Sequence, residues 1–439
     1  MLIKNYTFIP KKPMRSRFSS NLLMGLMLFL AGGIVPSSLV LAGNQNTTEA
    51  LTLKEAIQRT FNHNPELQTF QYQLEAQQGR MVQADLSPKP QVSLTVEDAL
   101  GSGGFNGFDN SQATLSVAWL LDQNIKDKRV QVASEAKSLI ESEKNIKQLD
   151  SATQTARYFL AALFYQESAV IARRAIALAQ STVKEVKHRV KIGKTPLAEL
   201  YRAEAELAKR RLVLGDVEHE LESSIRQLAS QWGSTEPSFK TVSGMLNNRP
   251  DVMSFDALKT QIKNNPNIAK YLSMDRVNDA QIKLAEEERS SPWTFTTGVR
   301  RYQGTDDFGM VAGISMPFGG SNRNQGRIAE VKAKRLQNQS EADALRIRIE
   351  TTLFVVYQQL EHSFHLSDVL KKEIIPKLEK ALTETHKAYE FGKYGYLEWL
   401  AVQNELLNAQ SKLLDASLST HLKQLEIERL TGTQIVSPF

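Results

Sequence analysis

From Gln123 to Ile192 the chain runs seventy residues without a glycine or a proline, and Leu149, Ala156, Leu163, Val170 and Ala177 recur every seven positions. An unbroken heptad of small and apolar side chains predicts one long helix with a coiled-coil seam, about 100 Å at 1.5 Å per residue. Gly193-Lys194-Thr195-Pro196 then offers a glycine suited to a C-terminal cap and a proline suited to starting a new helix. A second helix, Leu197 to about Gln231, must fold back on the first as a hairpin. The plan returns with a helix from Arg327 to Phe391, a turn at Gly392 to Gly395 and a helix from Tyr396 to about Leu430. There Pro376 interrupts the long helix and predicts a kink or a loosened turn.

Four segments carry the other periodicity. Gln91–Val96 (QVSLTV), Ala113–Trp119 (ATLSVAW), Trp293–Val299 (WTFTTGV) and Phe308–Phe318 (FGMVAGISMPF) put apolar or aromatic residues on one face and Ser, Thr or Gly on the other. That period of two predicts strands, and short alternating segments with aromatics near their ends are the weak signature of outer-membrane strands. An amphipathic hairpin packed on a soluble core fits the strands equally well. The polar, glycine-rich linkers Glu97–Asn110 and Arg300–Asp307 favour loops on the far side of a membrane.

The elements recur about two hundred residues on. Gly193 and Gly392, Glu199 and Glu398, and Glu206 and Glu405 are each 199 apart, and LKEAIQRTFNHNPEL from Leu53 is echoed by LKTQIKNNPNI from Leu258. Both of the latter end a short amphipathic helix at Asn-Pro. Val117–Val130 likewise parallels Ser315–Ile328 and sets Arg129 against Arg327. One order and a nearly constant offset indicate a duplication, with a first helix-strand-strand-helix repeat over residues 43–240 and a second over 241–439.

Charge and composition narrow the class. Lys4, Lys11, Lys12, Arg15 and Arg17 precede an apolar run from Leu22 to Val35 and the small residues ending at Ala42, with no acidic residue before the run. This is the pattern of a secretory signal peptide over residues 1–42; Pro36 and the shortness of the run disfavour a retained anchor. Without those five positive charges, 54 basic against 48 acidic residues becomes 49 against 48. The basic surface that would recommend nucleic-acid binding therefore belongs to the leader, and no nucleic-acid partner is expected. The chain has no cysteine, which excludes disulfides, thiolate metal sites and an N-terminal lipidated cysteine.

Four strands cannot close a barrel in lipid, where each unpaired backbone group costs several kcal/mol. Three chains would supply twelve strands with room for a lumen, and the long helices would continue that barrel as a tube below the membrane. The expected fold is thus mainly α with a small β part: long coiled-coil hairpins plus four transmembrane strands per chain, in a homotrimer.

The duplicated order, the Y-x-x-G...E-x-L...N-E-L pattern from Tyr389 and the ending Leu425–Gly432 (LEIERLTG) resemble the TolC family of outer-membrane efflux proteins. Met316–Ile328 (MPFGGSNRNQGRI) resembles the branch serving heavy-metal pumps of the resistance-nodulation-division (RND) type. The resemblance implies an outer-membrane channel reaching into the periplasm, with a twelve-stranded β-barrel above a helical barrel, docked on a periplasmic adaptor and an inner-membrane RND-type pump. It implies adaptor-docking tips at Gly193, Lys194 and Thr195 and at Gly392, Lys393, Tyr394 and Gly395. It also implies a periplasmic gate at Tyr389, Glu398 and Glu199. Tyr394 stands where some members carry arginine and Ala401 where they carry a second acidic residue, which puts a family-like closing network in doubt. Exit of drugs or type I protein secretion uses the same scaffold, and a periplasmic coiled-coil adaptor without a pore is the alternative of another class.

No nucleophile elbow, phosphate loop or HExxH occurs, so no enzyme and no cofactor are expected. Glu361, His362 and His365 share a helix face, but their neighbours are those of a solvated helix, and no metal site is assigned to them.

Overall fold

The computed structural model describes residues 50–290, 292–319, 323–433 and 435; the expected leader, residues 1–42, lies outside them. α1 (Leu53–His63) and α2 (Pro65–Ala84) lead to strands β1 (Gln91–Glu97) and β2 (Gln112–Leu121) and to the hairpin of α3 (Gln123–Lys191) and α4 (Leu197–Ser230). Then come α5 (Phe255–Gln261), α6 (Pro266–Glu287), β3 (Trp293–Tyr302), β4 (Asp307–Ser315) and a second hairpin of α7 (Gln325–Val369), α8 (Ile375–Glu390) and α9 (Tyr396–Thr431). The 69 residues of α3 extend about 100 Å.

The heptad holds only over half of α3. Ala156 and Leu163 are fully buried, but Val170 is 43% exposed and burial passes to Ala172, Ala179 and Val186. A straight helix drifts by about 20° per heptad. The drift is tolerated because the neighbours change: Phe159, Leu160 and Leu163 pack into a core with α1, the end of α4 and the segment around Val242, whereas Val186 packs with both hairpins near their tips.

Pro376 produces the loosened turn. Its ring crowds the carbonyl four residues earlier and it offers no N–H, and the helix widens into a π turn at Leu370–Ile374 between α7 and α8.

Each Asn-Pro pair does more than stop a helix. Asn64 Oδ1 accepts from the N–H groups of Glu66 and Leu67 at 2.9 and 3.1 Å, while its Nδ2 donates to the Gln231 carbonyl at the end of α4, 2.8 Å away. Asn265 accepts from Asn267 N–H at 2.8 Å and donates to the Leu430 carbonyl at the end of α9, 3.0 Å away. One amide thus caps the start of one helix and satisfies the end of another. Beside it Gly432, at φ +69°, approaches so closely that a Cβ would sit 2.5 Å from the Asn264 carbonyl oxygen. Asn265→Ala removes a cap and a buried acceptor's partner, together about 2 kcal/mol; a lowered thermal unfolding midpoint is the expected result, and an unchanged one would show that the tie is not stabilising.

The four strands form one antiparallel sheet in the order β1-β2-β3-β4. Residues paired across strands share a face, so the registers sort the side chains. Leu94, Leu115, Val299 and Met310 lie in one row, and Trp119, Phe295 and Ile314 in another. This apolar face is exposed, Met310 at 87% and Leu94 at 69%. The opposite face carries Ser93, Thr114, Ser116, Thr296 and Arg300. There Arg300 donates to Thr114 Oγ1, Gln112 Oε1 and Glu97 Oε2 at 2.9, 3.0 and 3.0 Å, bridging three strands. Arg300 and Arg301, expected in a loop, belong to β3; Arg300 finds its partners along the sheet, and Arg301 pairs with Asp306 in the turn to β4 at 2.7 Å. β4 ends at Ser315 rather than Phe318, since Pro317 cannot donate to a ladder. Among the described residues no helix is long and apolar enough to cross a membrane.

Candidate functional site

The two tips are built alike. Gly193 and Gly392 each have φ +73°, a conformation that penalises any Cβ. Gly193 N–H donates to the Val190 carbonyl and Lys194 N–H to the Arg189 carbonyl, at 3.0 and 2.9 Å; Gly392 and Lys393 repeat this on Tyr389 and Ala388 at the same distances. This is the glycine-terminated helix end in which two otherwise unpaired carbonyls are satisfied. Around both tips apolar side chains face solvent: Ile192, Leu197, Phe391, Tyr394 and Leu397 are 49–79% exposed.

Behind the tips the hairpins lock together. Val186 of α3, Leu200 and Ala203 of α4, Tyr389 of α8 and Tyr396 and Trp399 of α9 form one buried cluster. Tyr389, 1% exposed, stacks on Trp399 with ring centroids 5.0 Å apart. The Arg189 guanidinium lies 4.4 Å over the other side of the Tyr389 ring and donates to the Glu390 carbonyl at 3.1 Å, so α3 grips α8.

Burial pushes the Tyr389 phenol up, and the nearby Glu199 carboxylate adds to the shift; Thr195 beside it offsets part. Thr195 makes no well-formed hydrogen bond with that hydroxyl. Among the described residues the buried Tyr389 Oη and Trp399 Nε1 both lack a hydrogen-bond partner. Burial, followed by the Glu206 carboxylate, pushes Tyr396 up to about 12.

The expected gate residues are therefore placed unequally. Tyr389 and the half-buried Glu199 come together at the interface between hairpins, whereas Glu398 is exposed and its Oε2 accepts from Gly395 N–H at 3.1 Å. That bond closes the start of α9 as an N-terminal cap, a local role that the Gly395-x-x-Glu398 spacing already contained. Lys194, Lys393 and Tyr394 stand exposed on the tip turns. Tyr396 and Trp399 belong to the aromatic cluster that the sequence places after the second tip, whereas Arg189 is a site residue that the sequence did not single out, since its partners Tyr389 and Glu390 lie some two hundred residues away.

Glu361, His362 and His365 are exposed along α7 and do not converge. A different group does: Glu185, His386 and Glu390 each offer a ligand atom within 4.8 Å of the others.

Residues 56–234 match the family described as outer membrane efflux protein. Over 383 residues the chain is 24% identical to the cobalt-zinc-cadmium resistance protein CzcC of Cupriavidus metallidurans, a match spanning 87% of this chain and 90% of that protein. Its fold is similar to that of solved CusC, with a TM-score of 0.69 at 15% identity over 87% of this chain and 92% of the other. It is also similar to the outer membrane protein VceC of Vibrio cholerae, with a TM-score of 0.67 at 16% identity over 88% and 97% of the two chains.

Proposed function

We propose that this chain is a TolC-like outer membrane efflux protein, a reading supported by the family match, the CzcC relative and the shared fold, and that three copies close one channel, gated at the hairpin tips, that exports heavy-metal cations. The observation that carries the reading is the sheet, with one face apolar and exposed, the other polar, and β1 and β4 each paired on one side only. In lipid those two edges leave backbone groups unpaired at several kcal/mol each. Pairing β4 of one copy with β1 of the next satisfies them, and three copies give a twelve-stranded barrel whose polar face lines the lumen.

Two repeats, 43–240 and 241–439, then contribute one helical hairpin each to a tube below the barrel. Gly193, Lys194, Thr195, Gly392, Lys393, Tyr394 and Gly395 form the surface for a periplasmic adaptor, and the exposed apolar residues flanking them supply area for it to bury. Tyr389, Glu199 and Glu398 act at the gate, the first two where the hairpins meet and Glu398 as one carboxylate of a ring of three that favours cations. The relative named for cobalt, zinc and cadmium resistance spans most of both chains, which supports divalent cargo; an RND-type inner-membrane pump would deliver it.

Deleting the gene in its host and measuring growth on zinc, cobalt, copper and silver tests the cargo. Increased sensitivity, restored by the intact gene, is expected. Unchanged tolerance to all four would overturn the metal reading and leave drugs or secreted proteins as cargo. Release of the chain from membranes by carbonate would overturn the channel itself.

A further inference from the structure

Glu185 of α3 faces His386 of α8, with Oε2 and Nε2 2.8 Å apart. Glu390 lies one helical turn beyond His386, so the two share a face of α8, and one ligand atom from each of the three lies within 4.8 Å of the others. The His386 ring is held against Trp399, centroids 4.7 Å apart, which fixes where Nε2 points. Glu390 is exposed, and among the described residues no hydrogen bond or ion pair engages its carboxylate; Arg189 binds its backbone carbonyl instead. Two carboxylates this close repel unless a proton or a cation lies between them.

An imidazole and two carboxylates, open to solvent on one side, match the donor set of a zinc site that keeps a position for water. The ligands of a tetrahedral zinc at about 2.0–2.1 Å stand roughly 3.4 Å apart, so a rotamer shift of the exposed Glu390 brings the set to size. The imidazole selects borderline transition cations over Mg²⁺ and Ca²⁺, which prefer all-oxygen sites, and the chain has no thiolate to compete.

We propose that Glu185, His386 and Glu390 bind one Zn²⁺-class divalent cation that fastens the first hairpin to the second just behind the tips. The ion bridges α3 and α8 where Arg189 and the Tyr389–Trp399 stack already join them. A bound cation thereby opposes separation of the hairpins, and the channel senses the metal independently of whether that metal is its cargo.

The test is calorimetric titration of the purified, tag-free channel in detergent with ZnCl2, repeated with MgCl2. Expected is one Zn²⁺ per chain, no comparable Mg²⁺ binding, and a loss of affinity of roughly tenfold or more in Glu390→Gln and in His386→Gln, with His362→Gln unaffected. Zn²⁺ should also raise the thermal unfolding midpoint of the native channel and not that of His386→Gln. Glu390→Gln guards against a folding artefact, because that side chain has no partner to lose. Absence of zinc binding, equal binding of Mg²⁺, or unchanged zinc affinity in both variants would overturn the site. Growth of a deletion strain on metals does not enter this measurement, so the cargo reading and the site stand or fall separately.

Discussion

Met310→Arg is expected to abolish assembly of the channel in the outer membrane, whereas Gly313→Arg, three residues away on the same strand, is expected to leave assembly intact. Met310 is 87% exposed on the apolar face of the sheet, in the row shared with Val299, Leu115 and Leu94 near the middle of the strands. A cation at the bilayer midplane on that face costs about 2–4 kcal/mol. A trimer carries three copies, so the penalty is roughly three times larger and comparable to the whole stability of an ordinary domain. Gly313 pairs with Thr296 on the polar face, and a Cβ there would meet nothing within 4 Å, so an arginine extends into the lumen. Heat-modifiable mobility of the oligomer from outer-membrane fractions reads both variants. Equal assembly of both, or failure of the Gly313 variant alone, would mean that the apolar face does not contact lipid.

Tyr389→Ala is expected to destabilise the junction of the hairpins and raise channel conductance, while Tyr389→Phe does neither. The ring is fully enclosed between Trp399 and the Arg189 guanidinium; emptying such a site costs about 3–5 kcal/mol, and the lost cation–π contact adds about 1 kcal/mol. The hydroxyl has no hydrogen-bond partner, so removing it loses nothing and relieves a buried polar atom. Thermal unfolding and single-channel conductance in planar bilayers separate the possibilities. If the phenylalanine variant opened as readily as the alanine variant, the hydroxyl rather than the ring would be the latch.

The helix ends were legible because local chemistry sets them. Gly193, Gly392 and Gly432 stop helices by positive φ, and Pro65 and Pro266 stand at helix starts. The strands were legible in position but not in length. Alternation located them, yet Arg300 and Arg301 looked like loop residues until Thr114, Gln112, Glu97 and Asp306 appeared as their partners. The buried stripe of α3 was legible only as far as Leu163, since a heptad extrapolates one partner and the helix meets several.

Sequence by itself determined the long α-helical hairpins, the four short strands, the absence of thiol chemistry and the resemblance to outer-membrane efflux proteins, because each follows from periodicity, breakers or residue types counted along the chain. Only the tertiary structure decided that Arg189 grips Tyr389 and Glu390, that the Asn-Pro amides hold the ends of α4 and α9, and that Glu185, His386 and Glu390 converge. Those contacts join residues some 165 to 200 positions apart, as Asn64 to Gln231 and Glu185 to His386 are. The physical reason is that side-chain chemistry depends on distance in space, and periodicity reports only which face a residue occupies, not what lies opposite.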